Sequence, residues 1–87
     1  MLRIQRSKEG DSVRFVLSGR IEAEYLPELR RLLDGEERGC PVILDLGDVK
    51  LVDHDAVRFL AVCEAAGATL QRCPGYVREW ITRERER

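Results

Sequence analysis

The sequence carries almost no net charge: 15 Lys and Arg stand against 16 Asp and Glu, a formal charge of −1. Without an excess of one sign there is no long-range field to draw the chain to a phosphate backbone or an anionic membrane, so neither nucleic acid nor a membrane is an expected partner. Apolar runs stay far short of the ~18 residues of a membrane span, and the opening Met1-Leu2-Arg3-Ile4-Gln5-Arg6 has no signal-peptide core. The chain therefore reads as cytoplasmic. Histidine occurs once, at His54, and Cys40, Cys63 and Cys73 form no Cys-x-x-Cys pair. Such a set supports neither a zinc site nor a disulfide framework and reads as small, partly buried thiols. The glycines are scattered over turns and helix stops, with no phosphate-cradling loop. An enzyme needs a nucleophile with an oriented base, or paired groups with tuned pKa values around a pocket, and the sequence offers no such set. No catalytic residue, cofactor or metal is expected.

What is present is a hydrophobic fraction of 44% beside a charged fraction of 36%, the composition of one globular domain over residues 1–87 with a small core. Leu2 and Ile4 alternate with polar residues, residues 7–12 supply turn chemistry, and Val13-Arg14-Phe15-Val16-Leu17 is strand-like again, which predicts a hairpin ended by Gly19. Leu26, Leu29, Leu32 and Leu33 then recur at helical spacing, predicting an amphipathic helix over 22–34 with Pro27 near its first turn. The central stretch follows. Val42-Ile43-Leu44-Asp45-Leu46 reads as a buried strand leading through an acidic turn, residues 47–52, into a helix over 54–66 stopped by Gly67. Asp53 stands where a carboxylate caps unpaired helical N–H groups. Residues 69–72 make a short last strand. Tyr76, Val77, Trp80 and Ile81 form one helical stripe, with Trp80 expected to anchor it to the sheet, and residues 82–87 read as a fraying charged end.

The order strand, strand, helix, strand, helix, strand, helix predicts an α/β sandwich with a mixed, mostly parallel sheet of about four strands and about three helices. Strand 42–46, the following Val49-Lys50-Leu51-Val52-Asp53 and the helix opening at Asp53 resemble the STAS domain, shared by bacterial anti-sigma-factor antagonists and the cytoplasmic tails of sulfate transporters. Gly19-Arg20-Ile21 before the first helix and the run Cys73 through Ile81 fit the same order. Family members usually continue with another strand and helix. In regulatory members the helix opens Asp-Ser-Ser/Thr-Gly, and the second hydroxyl is phosphorylated by a partner that is both kinase and anti-sigma factor. Here the matching run is Asp53-His54-Asp55-Ala56, with Asp55 at the phosphoacceptor and no Ser or Thr anywhere from residue 19 to 68.

The resemblance implies a non-enzymatic regulatory module that has lost its phospho-switch. Its partner would be an anti-sigma factor or a switch-kinase-like ATPase domain, met through Asp53, His54, Asp55, Ala56 and Arg58, with Lys50 extending the surface. His54 as a metal ligand or general base has little support, since neighbouring residues at a helix start point in different directions. Two other readings stand beside this one: a sensor taking a small molecule or nucleotide at the same helix N-terminus, and a homodimer built through a sheet edge or the Trp80 helix.

Overall fold

A computed structural model gives the fold and describes residues 2–36 and 39–86. Glu37 and Arg38, in the expected polar connection, and Arg87 of the charged tail lie outside the described residues. The chain forms an α/β structure with strands β1 (Leu2–Glu9), β2 (Ser12–Ile21), β3 (Val42–Val52) and β4 (Thr69–Gln71) and helices α1 (Leu26–Asp34), α2 (His54–Ala65) and α3 (Gly75–Arg85). β1 and β2 are an antiparallel hairpin whose pairing runs from Leu2 opposite Gly19 to Glu9 opposite Ser12. Gly10, at φ 60°, makes the two-residue turn possible because that conformation is costly for a residue with a Cβ. β2 pairs with β3, and β3 with β4, in parallel, so the sheet is mixed with order β1-β2-β3-β4.

Because successive crossovers step the same way across the sheet, their right-handedness places the helices on one face. Val13, Phe15 and Leu17 from β2 and Leu44 and Leu46 from β3 meet Leu29 of α1, Val57 and Leu60 of α2, and Val77 and Ile81 of α3 in one buried cluster. The opposite face, with Arg14, Val16, Ile43 and Asp45, has no helix over it among the described residues.

Three expectations are corrected. Residues 47–52 are strand, not turn: β3 continues to Val52, with Val49 and Val52 buried, and register shifts between Val16 and Ser18 and between Gly19 and Arg20 absorb its extra residues. Gly19 accordingly lies inside β2, at φ 93°, instead of ending it. The helix predicted from 22 begins as a 3-10 turn, Ala23–Tyr25, before α1 proper, whose first turn accommodates Pro27.

A further correction concerns α3. Val77 and Ile81 are fully buried, whereas Tyr76 and Trp80 are 42% and 41% exposed, so the aliphatic pair and not Trp80 anchors the helix. Each aromatic lies 100° around the helix from its aliphatic neighbour, at the margin of the buried stripe. The end of α3 is also tied down. Arg78 makes a bidentate pair with Glu64 of α2 at 2.9 and 2.8 Å, and Arg85 reaches the same carboxylate at 3.1 Å. This pairing holds the Glu64 carboxyl below its ordinary pKa.

Candidate functional site

The α2 N-terminus is built by Asp53. Its Oδ1 accepts the Ala56 backbone N–H at 2.8 Å, the helix cap expected from the sequence, and its Oδ2 accepts the Ala23 N–H at 2.8 Å. Its own N–H donates to the Ile21 carbonyl at 3.1 Å. One side chain thus joins the end of β2, the 3-10 turn and the start of α2. Ala56 is fully buried beneath this turn, so it shapes the helix start from inside and offers a partner no surface.

The remaining predicted residues face outward. Asp55 is exposed in the first turn of α2 and, among the described residues, has no hydrogen bond or ion pair. His54 and Arg58 lie one turn apart and both approach Glu84 of α3, with Nε2 of His54 at 3.4 Å and Nε of Arg58 at 3.7 Å from its Oε1. The Glu84 side chain is only 14% exposed, so the "fraying" end of α3 in fact forms one wall of this surface. Lys50 sits near the end of β3 with an exposed side chain, and its carbonyl receives the Tyr76 hydroxyl at 3.4 Å, long for such a bond.

Sequence reasoning missed the aromatic part of this surface. Tyr76 and Trp80 meet edge to face at 6.0 Å and 85°, and Trp80 lines a small cleft of about 130 Å³ with His54, Val57, Arg83 and Glu84. Tyrosine and tryptophan with flanking arginine are the side chains that concentrate binding energy at protein interfaces. The signal was in the helical wheel, where only two of the four apolar positions of α3 are needed for the core.

A second carboxylate centre lies on the open face of the sheet. Asp45 is 5% exposed. Arg72 grips it with Nε on Oδ1 and Nη2 on Oδ2, both at 2.9 Å, Arg14 Nη1 reaches Oδ2 at 3.2 Å, and the Gly47 N–H donates to Oδ1 at 3.0 Å. Arg14 continues the network to Gln71 at 2.7 Å and to Glu9 at 3.0 Å. The Arg72 hydrogen bonds hold the Asp45 carboxyl below its ordinary pKa, against the opposing effect of burial. Arg72 has the only positive φ among the described non-glycine residues, 51°, and a Cβ on Gly47 would stand 2.5 Å from its Cζ. Every charge here has a partner.

A wider cleft, about 630 Å³, lies at the other end of α2, between α1 and the start of β3, lined by Leu33, Cys40, Val42, Phe59, Val62 and Cys63. Burial raises the Cys63 thiol to a pKa of about 11, so it carries no reactive thiolate at neutral pH. Among the described residues, no group of His, Cys, Asp and Glu is placed to hold a metal ion, and no helix is long and apolar enough to cross a membrane. Compared with known proteins, the chain matches no family model and no curated protein.

Proposed function

We propose that the chain is a STAS-like, non-enzymatic regulatory module that binds a protein partner through the start of α2 and the adjoining flank of α3. The observation that carries this reading is the division of labour between two aspartates two residues apart. Asp53 has both oxygens engaged in holding the fold, while Asp55 stands exposed and unpaired beside His54. Unpaired N–H groups and the helix dipole stabilise an anion in that first turn by roughly 0.3–1 kcal/mol, so the charge is tolerated there and remains available to a partner.

The two-layer α/β order with the strand-to-helix junction at Asp53 supports the family resemblance, and through it a partner of the anti-sigma-factor or switch-kinase type. Asp55 at the phosphoacceptor position supplies a fixed charge in place of a reversible one. A phosphoserine carries about −1.5 to −2 charges and three acceptor oxygens, so a carboxylate reproduces it only in part. The module is thereby held in one regulatory state.

Calorimetric titration against switch-kinase-type ATPase domains tests the reading, and absence of binding across such a panel would sink it. Incubation of the native chain with such a kinase and ATP should add no phosphate to the peptide spanning residues 53–56, whereas Asp55→Ser creates an acceptor. Phosphate on the native peptide, read by mass spectrometry, would contradict the lost switch. A ligand reading of the same helix N-terminus gains little, because the cleft there, about 130 Å³, is below the roughly 300–1,000 Å³ of small-molecule sites.

A further inference from the structure

Arg30 and Asp34 stand one turn apart on α1, and both line the cleft of about 630 Å³ at the C-terminal end of α2. Opposite charges at this spacing often pair, yet these two make no ion pair with each other or, among the described residues, with any other group. The Arg30 guanidinium lies instead over the Phe59 ring, 5.8 Å from its centroid. Asp34 is left as an unpaired acid in the last turn of α1, the end of a helix where the macrodipole disfavours negative charge. The same cleft receives the C-terminal end of α2, whose last turn has no basic residue. Its mouth therefore carries an exposed cation and, one turn away, an exposed negative centre, above walls formed by Leu33, Val42, Val62 and the Cys40 and Cys63 thiols.

We propose that this cleft binds a free apolar α-amino acid, with its carboxylate on Arg30, its ammonium on Asp34 and its side chain among the apolar walls. Side chains at i and i+4 of a helix stand about 5–6 Å apart at Cβ, so a molecule with both charges on one carbon can meet the two together. An apolar amine would leave Arg30 unmatched, and an apolar acid would face Asp34 and the negative ends of two helices. At about 630 Å³ the cleft falls within the roughly 300–1,000 Å³ of small-molecule sites. It lies at the opposite end of α2 from the proposed partner surface and shares no residue with it.

The probe is L-phenylalanine, titrated to millimolar concentration into the isotope-labelled full chain and followed by the backbone amide signals. Shifts are expected to centre on residues 30–34, 40–42 and 62–68. Phenethylamine, which lacks the carboxylate, and 3-phenylpropionate, which lacks the ammonium, should each bind about fivefold more weakly through loss of one exposed ion pair. Glycine, which lacks the side chain, should shift nothing at the same concentration. Arg30→Gln should bring L-phenylalanine down to the level of phenethylamine, and Asp34→Asn should bring it down to that of 3-phenylpropionate. Both residues are exposed on α1, so thermal melts should show either variant folded. An absent response, shifts centred on the α2 start or the open face of the sheet, equal binding of amine, acid and amino acid, or folded variants that keep the native preference would each overturn the proposal.

Discussion

Asp45 and Asp55 are both exceptions to their surroundings, one an acid in an apolar strand and the other an acid at an open helix start, and their environments are opposite. Asp45 is buried and held by Arg72, Arg14 and the Gly47 N–H. Asp55 is exposed and, among the described residues, unpaired. A carboxylate that takes up every donor around it stabilises the fold and has little left to offer a partner, whereas one that takes up none contributes little to the fold and remains free for recognition. The difference places the Asp45 centre among the groups that hold the fold together and leaves the α2 start available as the proposed partner surface.

The largest expected effect comes from breaking the buried centre. Asp45→Ala leaves two guanidinium groups and the Gly47 N–H facing a cavity, and should lower unfolding free energy in urea by about 2–3 kcal/mol. Discounting for the exposed side of Arg72, which is 61% accessible, keeps the figure at the lower end of what broken buried pairs show. Asp53→Ala comes next, at about 1–2 kcal/mol, since it removes the α2 cap and the bond to Ala23 together. Gly47→Ala should cost about 1 kcal/mol, because the new Cβ displaces the Arg72 guanidinium from its seat. Asp55→Ala is the smallest, a few tenths of a kcal/mol from the helix dipole alone. A stability loss for Asp55→Ala as large as that for Asp53→Ala would erase the contrast.

Acid sharpens it further. The carboxyls of Asp45 and Glu64 titrate below their ordinary values because Arg72 and Arg78, respectively, bond their charged forms. For a depressed carboxyl the folded state binds the proton more weakly than the unfolded chain, so its stabilisation is complete above the unfolded pKa and is lost as pH falls through the lower folded value. Stability should therefore hold from neutral pH to about 5 and fall below about 4. Asp45→Asn should flatten that fall, and thermal melts at stepped pH measure it.

The sequence made much of this molecule legible because period and punctuation are local. The hairpin, α2 with its Asp53 cap and the stop at Gly67, and the short β4 were all readable from apolar spacing and turn residues. The continuation of β3 was not, because Gly47 and Asp48 look like turn chemistry, and only the β2 ladder with its two bulges keeps residues 47–52 extended. Trp80 misled for a related reason. Helical spacing marks four apolar positions in α3, but the core has room for two, and which pair wins depends on how α3 rests on β3 and α2. The Asp45 network was half visible. A lone acid in a buried strand must find a cation, yet its partners Arg14 and Arg72 stand 31 and 27 residues away along the chain. Among the proposed partner residues, exposure of His54, Asp55, Arg58 and Lys50 was legible as polar character at a helix start and strand end, while the burial of Ala56 and the contribution of Tyr76 and Trp80 emerged only from the packing.

The account turns on Asp55 belonging to a binding surface and not to the fold. Its most direct test is calorimetric titration of native chain and Asp55→Lys, side by side, into a switch-kinase-type domain that binds the native chain. Charge reversal at the centre of the surface is expected to weaken binding by at least about tenfold, or roughly 1.4 kcal/mol, while the thermal melting temperature changes little. Unchanged affinity for Asp55→Lys would contradict the assignment of the α2 start as the partner surface.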